Sequence, residues 1–232
     1  MNRTRLAAID IGTNSIRCIV VETGKDGKFR VLDDEKVTVR LGEGFAQNGS
    51  ISAAAWQRAM DALSRMKKIV DSFGVIKVET VATSAVRRAA NGEDFVRAVA
   101  ASIGLQVEVI SGDDEAQLAV TSALHNFDME GTRYVMVDIG GGSVEVVTAL
   151  GSHIEEVYSL ELGAVTLTEK YVNSDPIKEG DYLRLRRHIR KTLRGAFIGG
   201  GVSVQCLLGS GGTMTAIGGM VMAVRKDGRS SV

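Results

Sequence analysis

One motif occurs twice in this chain, and it constrains the fold more than any other feature. Leu6-Ala7-Ala8-Ile9-Asp10-Ile11-Gly12-Thr13-Asn14-Ser15-Ile16-Arg17 matches Tyr134-Val135-Met136-Val137-Asp138-Ile139-Gly140-Gly141-Gly142-Ser143-Val144-Glu145, with Asp, Ile, Gly and Ser coinciding at one offset. A repeat of this kind has to be placed before any single element is read. Each copy reads as a buried strand, a glycine turn and a second strand, Ile16 to Val21 in the first and Val144 to Leu150 in the second. Strand–turn–strand makes a β-hairpin, whereas a dinucleotide-binding loop would run into a helix.

The turns themselves suggest anion chemistry. Glycines let backbone N–H groups converge on an anion without Cβ obstruction. Gly12, Thr13, Asn14 and Ser15 form the first candidate phosphate cradle, and Gly140, Gly141, Gly142 and Ser143 the second. Asp10 and Asp138 end the buried strands, where two carboxylates can face one another across a cleft and suit Mg²⁺, a cation that favours oxygen ligands and keeps several waters. A single hairpin Asp is more simply read as bonding its own turn; two matching copies favour the metal reading. A third glycine turn, Gly209-Ser210-Gly211-Gly212-Thr213, lies between a strand and a helix, and Gly211, Gly212 and Thr213 complete the candidate phosphate set.

Basic and acidic residues number 28 each, so no overall field attracts a polyanion and phosphate binding must come from local geometry. No nucleic-acid partner is expected. No apolar run approaches the length of a membrane span, and Asp10 interrupts the apolar segment behind the basic N-terminus, so no membrane partner is expected and the cytoplasm is the default location. Cys18 and Cys206 sit in apolar stretches, which argues against a disulfide framework and for a reducing compartment.

Between and beyond the hairpins the pattern is α/β. Val37, Val39 and Leu41 alternate as a half-buried strand does. Trp56, Met60, Leu63, Met66 and Val70 share a helical face, with Ser52 as N-cap and Gly74 as a stop. Val75 to Ala82 and Leu105 to Ile110 read as strands, and Asn91 caps a helix that ends at Gly104. Asp113 opens a further helix. The polar stretch 126–133 sets the expected domain boundary, giving lobes 1–125 and 126–232. Lobe two is expected to run hairpin, connector, a helix from Pro176 to Arg194, a strand from Val202 to Leu208, the third turn and a helix from Met214. In the longer helix, Leu185, Ile189 and Leu193 make a buried stripe opposite a basic face. That face reads first as solvated, and more sharply as a docking strip for a long polyanion. His125, His153 and His188 fit no metal or triad pattern.

The chain resembles the exopolyphosphatase / guanosine pentaphosphate phosphohydrolase family of the acetate kinase–actin–sugar kinase superfamily. The matching segments are the first hairpin, Val39 to Gly44, Ala82 to Asn91, Val109 to Ala116, Val137 to Glu145, Leu160 to Val165 and Gly209 to Thr213, in family order. The hairpins alone indicate the superfamily; Thr83-Ser84-Ala85…Arg87…Asn91 and Ser111-Gly112…Glu115-Ala116 single out the family. Three residues depart from the family pattern: Asp114, Val144 and Thr166 stand where Glu, Thr and Arg are usual.

The resemblance implies two actin-like (ribonuclease H-like) lobes, each a mixed sheet with flanking helices, and an active site in the cleft between them. It implies a phosphoanhydride hydrolase in which Glu115 orients and partly deprotonates the attacking water. Glu145 is similar to a second active-site acid, and strand alternation lets it share a face with Ser143. Arg87 resembles a cleft arginine that clamps phosphate oxygens. The bland alternatives are a first-turn helix acid for Glu115, as Asp113 and Asp114 are read, and a salt bridge from Arg87 to Glu93 or Asp94, with Arg88 facing solvent.

The expected activity is Mg²⁺-dependent release of the terminal phosphate from polyphosphate or guanosine pentaphosphate. A non-catalytic sensor of guanosine penta- or tetraphosphate and a kinase or ATPase of the same superfamily are the alternatives. The polar end after one short helix is expected to mark a truncated second lobe or a short variant covered by a second copy, hence a homodimer.

Overall fold

The computed structural model describes residues 4–24, 28–197 and 203–225. The chain divides into two compact units, Met1–Ser111 and Gly112–Val232.

In unit 1, β1 (Thr4–Ile11), β2 (Ser15–Thr23) and β3 (Phe29–Thr38) form an antiparallel meander. A short α1 (Phe45–Asn48) and the long α2 (Ala53–Ser72) follow, then β4 (Lys77–Ala82), α3 (Ser84–Arg88), α4 (Gly92–Ile103) and β5 (Val107–Val109). β4 and β5 add in parallel, giving the order β3-β2-β1-β4-β5. Ser52 accepts the Ala55 amide at 3.3 Å and so starts α2, and Gly74, at φ +62°, takes the left-handed conformation that ends it. The core lies on one face of the sheet, where Ile9, Ile11, Ile16, Cys18 and Val20 meet Leu63, Met66 and Val70 of α2 and Phe95 and Val99 of α4.

Unit 2 repeats the scheme. It runs α5 (Gly112–Asn126), β6 (Arg133–Ile139), β7 (Val144–Leu150), β8 (His153–Leu160), α6 (Ala164–Tyr171), α7 (Glu179–Ala196), β9 (Cys206–Ser210) and α8 (Gly211–Arg225). Its order β8-β7-β6-β9, with β9 parallel to β6, matches β3-β2-β1-β4 strand for strand. Here both faces are covered. Ala116, Val120 and Ala123 of α5 pack on Tyr134, Met136, Val147 and Ala149. Leu167 of α6 and Ile189 and Leu193 of α7 pack on Val135, Val137, Val144 and Val146. These two mixed sheets with flanking helices make the α/β, actin-like class an observed one.

Several elements differ from the sequence reading. α5, expected to close the first lobe, packs on the second sheet, because its small apolar stripe fits the Tyr134–Met136 face. The contact boundary therefore falls at 111/112 rather than 125/126. The strand expected through Leu41 stops at Thr38, although Val39 and Leu41 stay buried. Strands β4 and β5 are shorter than expected, and α7 starts three residues after Pro176. α6 fills what read as a connector. Val202 lies outside the described residues.

Candidate active site

The first turn is closed by the Gly12 amide donating to the Ser15 carbonyl at 3.1 Å, and the second by Gly140 donating to Ser143 at the same 3.1 Å. Each turn is strapped from behind by a segment that takes its carbonyls. In unit 1 the Val39 and Arg40 amides both donate to Asn14 O (3.0 and 2.8 Å), and the Gly42 amide donates to Thr13 O (3.0 Å). Arg40 adopts φ +50° to do so, which is why the alternating pattern continues after the strand has ended. In unit 2 the strap is the start of α6. Ala164 donates to Gly140 O (3.0 Å), Val165 and Thr166 donate to Gly141 O (2.9 and 3.2 Å), and the Thr166 hydroxyl donates to Gly142 O (3.4 Å).

The consequence is an asymmetry. The turn carbonyls are spoken for, whereas the amides of Thr13, Asn14, Gly141 and Gly142 have no hydrogen-bond partner among the described residues. Backbone N–H groups are obligatory donors, and successive unpaired amides on a turn make an anion-binding concavity.

Register places the acids beside the second turn. Asp138 pairs with Glu145 on β7 and with Ser210 on β9, and Glu145 pairs with Ser159 on β8. Ser159, Glu145, Asp138 and Ser210 therefore form one row across all four strands. Side chains alternate along a strand, so this row shares the α5 face with Tyr134, Met136, Val147 and Ala149. Glu145 is 2% exposed and accepts a hydrogen bond from the Ser159 hydroxyl at 3.0 Å. Burial pushes the Asp138 carboxyl up from its ordinary value, and Ser210 opposes that rise.

α5 delivers Glu115 to the same end of the sheet. The helix leads through a short turn into β6 and so runs back along it. It is about 22 Å long, against about 20 Å for β6, so its first turn lies near the glycine-turn end. Glu115 is half-buried there, while Asp113 and Asp114 are exposed. The third turn closes the group: a Cβ on Gly211 would come within 2.5 Å of Asp138 Oδ1 and of the Ile139 carbonyl. Gly211 (φ +85°), Gly212 and Thr213 belong to the first turn of α8 itself.

In unit 1 the equivalent row is Lys36, Arg17, Asp10 and Val81. Asp10 sits on the exposed face. Arg17 opposite it is held by Asp34 through Nε–Oδ1 (2.8 Å) and Nη2–Oδ2 (2.6 Å). Arg87 is half-buried on α3, and its Nη1 donates to the Ile110 carbonyl at 2.7 Å. Arg97 pairs with Glu93 and Asp94.

Among the described residues, no three His, Cys, Asp or Glu side chains converge as an all-protein metal cage. A hard divalent cation can be held by one or two carboxylates with waters and phosphate oxygens completing the shell. Asp138, destabilised as an anion by burial, is the group in unit 2 best suited to such a cation.

A model of the Ppx/GppA phosphatase family matches residues 19–227. The chain belongs to that family. Exopolyphosphatase 2 of Mycobacterium tuberculosis is 33% identical over 234 residues, covering 97% of this chain and 73% of that protein. The Ppx/GppA family member of Aquifex aeolicus superimposes with a TM-score of 0.76 at 33% identity, over 96% of this chain and 71% of that one. An exopolyphosphatase from Cytophaga hutchinsonii gives a TM-score of 0.89 at 27% identity, over 98% and 73%.

The straps fall at Val39–Gly42 and Ala164–Thr166, overlapping the segments Val39 to Gly44 and Leu160 to Val165 on which the resemblance rests. Ser159, Ser210, Arg17 and Asp34 were not singled out from sequence. Their signal is register: Arg17 and Ser210 are level with a hairpin Asp, Ser159 is one strand beyond, and Asp34 lies on β3 two residues from the Asp10 row, opposite Ile19. Two side chains behave differently from expectation. Asn91 stands at the N-cap of α4 but makes no side-chain cap bond; its amide accepts from Ile51 N and donates to Ile51 O, both at 2.9 Å. Arg88 lies over the Phe45 ring, 5.1 Å from its centroid.

Proposed function

We propose that this phosphatase removes the terminal phosphate of inorganic polyphosphate, with guanosine pentaphosphate as a second substrate sharing the same reacting group. The observation that carries the reading is the state of the two turns: carbonyls engaged by the straps, amides of Thr13, Asn14, Gly141 and Gly142 left as donors beside a row of acids. Such donors are fixed before the substrate arrives and need no reorganisation when charge develops on phosphate oxygens. The names of the exopolyphosphatase relatives support polyphosphate over a nucleotide.

In this reading Gly12 to Ser15, Gly140 to Ser143 and Gly211 to Thr213 bind phosphate oxygens, and Arg87 adds a cationic donor. Glu115 orients the attacking water and accepts its proton, and Glu145, kept in place by Ser159, supports it. Asp138 in unit 2 and Asp10 in unit 1 are the candidate ligands for Mg²⁺ or another divalent cation, which would supply charge neutralisation for a polyanionic substrate. The leaving phosphate is already a good one, so positioning and electrostatics are the enzyme's main task.

The test is phosphate release with Mg²⁺ from long polyphosphate, guanosine pentaphosphate and ATP side by side. Release from polyphosphate that disappears in Glu115→Gln supports the reading. Tight binding of guanosine nucleotides with no release from any substrate would replace it with a sensor.

A further inference from the structure

α7 carries Arg184, Arg186, Arg187, Arg190, Lys191 and Arg194 within eleven residues of a chain whose charges otherwise cancel. Ile189 and Leu193 of its apolar stripe pack on the sheet face formed by Val135, Val137 and Val146. The cations are thereby held on the outer side of the helix, across the sheet from the acid row and from α5. Arg184 pairs with Asp181. Arg186, Arg187, Arg190, Lys191 and Arg194 have no ion pair among the described residues. With Leu183 they line a groove of about 540 Å³.

A helix dipole accounts for a cation or two in the last turn and no more. Five cations without an ion pair along about 12 Å of helix repel one another across distances on the order of a Debye length, a cost that an anionic partner removes. Insertion into a membrane surface needs a continuous free apolar face, whereas Ile189 and Leu193 pack against the sheet and only Tyr182 and Leu183, at the start of α7, are large exposed apolar side chains of the helix. Single-stranded nucleic acid needs several aromatic platforms interleaved with the cations; the one ring among Arg184 to Arg194 is His188, which is engaged with Tyr171. A linear polyanion carrying charge on every unit meets the requirement.

We propose that the outer face of α7 is a second binding site, a docking strip for the distal part of a long polyphosphate chain, separate from the turns that hold its reacting end. The proposal rests on the polyphosphate reading above. The strip adds affinity for long chains only, since a short substrate cannot reach it while engaged at the turns.

The experiment compares the full chain with Arg186→Gln/Arg187→Gln/Arg190→Gln/Arg194→Gln. For long polyphosphate the variant should raise KM by about tenfold or more at moderate salt with kcat unchanged, and flatten the salt dependence of KM. For tripolyphosphate, KM and kcat should stay as they were. Equilibrium binding of long polyphosphate in the Glu115→Gln background should show the same loss without turnover. If the wild type hydrolyses no polyphosphate, the functional reading fails, and this binding comparison still decides the strip. Equal KM and equal binding in a folded variant would overturn the proposal. So would tighter binding of the wild type to a duplex DNA or to anionic vesicles than to polyphosphate. Should the fourfold variant not fold, as circular dichroism would report, Arg187→Gln/Arg190→Gln is read in the same way with a smaller shift.

Discussion

Three consecutive acids open α5, and burial separates their roles. Asp113 and Asp114 are exposed and complement the helix N-terminus, whereas Glu115 is half-buried, one residue before the fully buried Ala116. Glu115→Gln keeps the shape and removes the base, so kcat should fall by ~10²–10⁴-fold while substrate affinity holds or improves. Asp113→Asn should leave both constants unchanged. Normal turnover by the Glu115 variant would reduce it to a helix-terminus acid. A second residue-scale prediction concerns Cys18, which is fully buried, and whose thiol burial pushes up to about 11, with Asp33 and Asp34 adding to the rise. Its folded value lies above its unfolded one, so this contribution to stability is intact below the ordinary thiol value of 9.0 and is lost as pH rises from there through about 11. In the native protein at pH 8, Cys206 should react with a thiol reagent and Cys18 should not. Equal labelling of the two would contradict the burial that the strand pattern implies.

The hairpins were legible in the chain because their information is local: an Asp at a strand end, glycines in the turn, alternation on both sides. The straps were not, because they act through backbone amides. Nothing in the side chains of Val39 or Arg40 reports that both amides bond Asn14 O, and Val39 and Leu41 remain buried after the backbone has left the sheet. α6 escaped for a related reason. Gly163 precedes it without a side-chain cap, and the helix spends its first amides on the carbonyls of Gly140 and Gly141. Gly163 is the tightest point of that strap, since a Cβ there would overlap the backbone of Gly141 and Gly142. Gly163→Ala should therefore displace α6 from the turn, lowering stability by about 1–3 kcal/mol, as overpacking does, and activity more steeply than stability. Gly180→Ala, with open space around its Cβ, is the control. A thermal melt paired with kcat/KM distinguishes a turn displaced within an intact fold from general unfolding.

At the scale of the molecule, one architecture was used twice and charged in opposite senses. The row level with Asp10 carries Arg17 and Lys36; the row level with Asp138 carries Glu145, with a serine at each end. The net charge of zero hides this division entirely. On the proposed reading, a cation in unit 2 would offset the charge that a polyanion meets at Asp138, Glu145 and Glu115. Phosphate release should accordingly vanish in excess chelator and return with Mg²⁺. A second readout is independent of turnover. Burial disfavours the Asp138 carboxylate, and a ligand that binds only the folded state stabilises it by mass action. Without substrate, Mg²⁺ should raise the melting temperature of the wild type. Asp138→Asn removes the buried charge, so it should melt higher than the wild type in chelator and gain little when Mg²⁺ is added. A Mg²⁺ shift of equal size in both proteins would place the cation on other residues and leave Asp138 as a turn-bonding side chain.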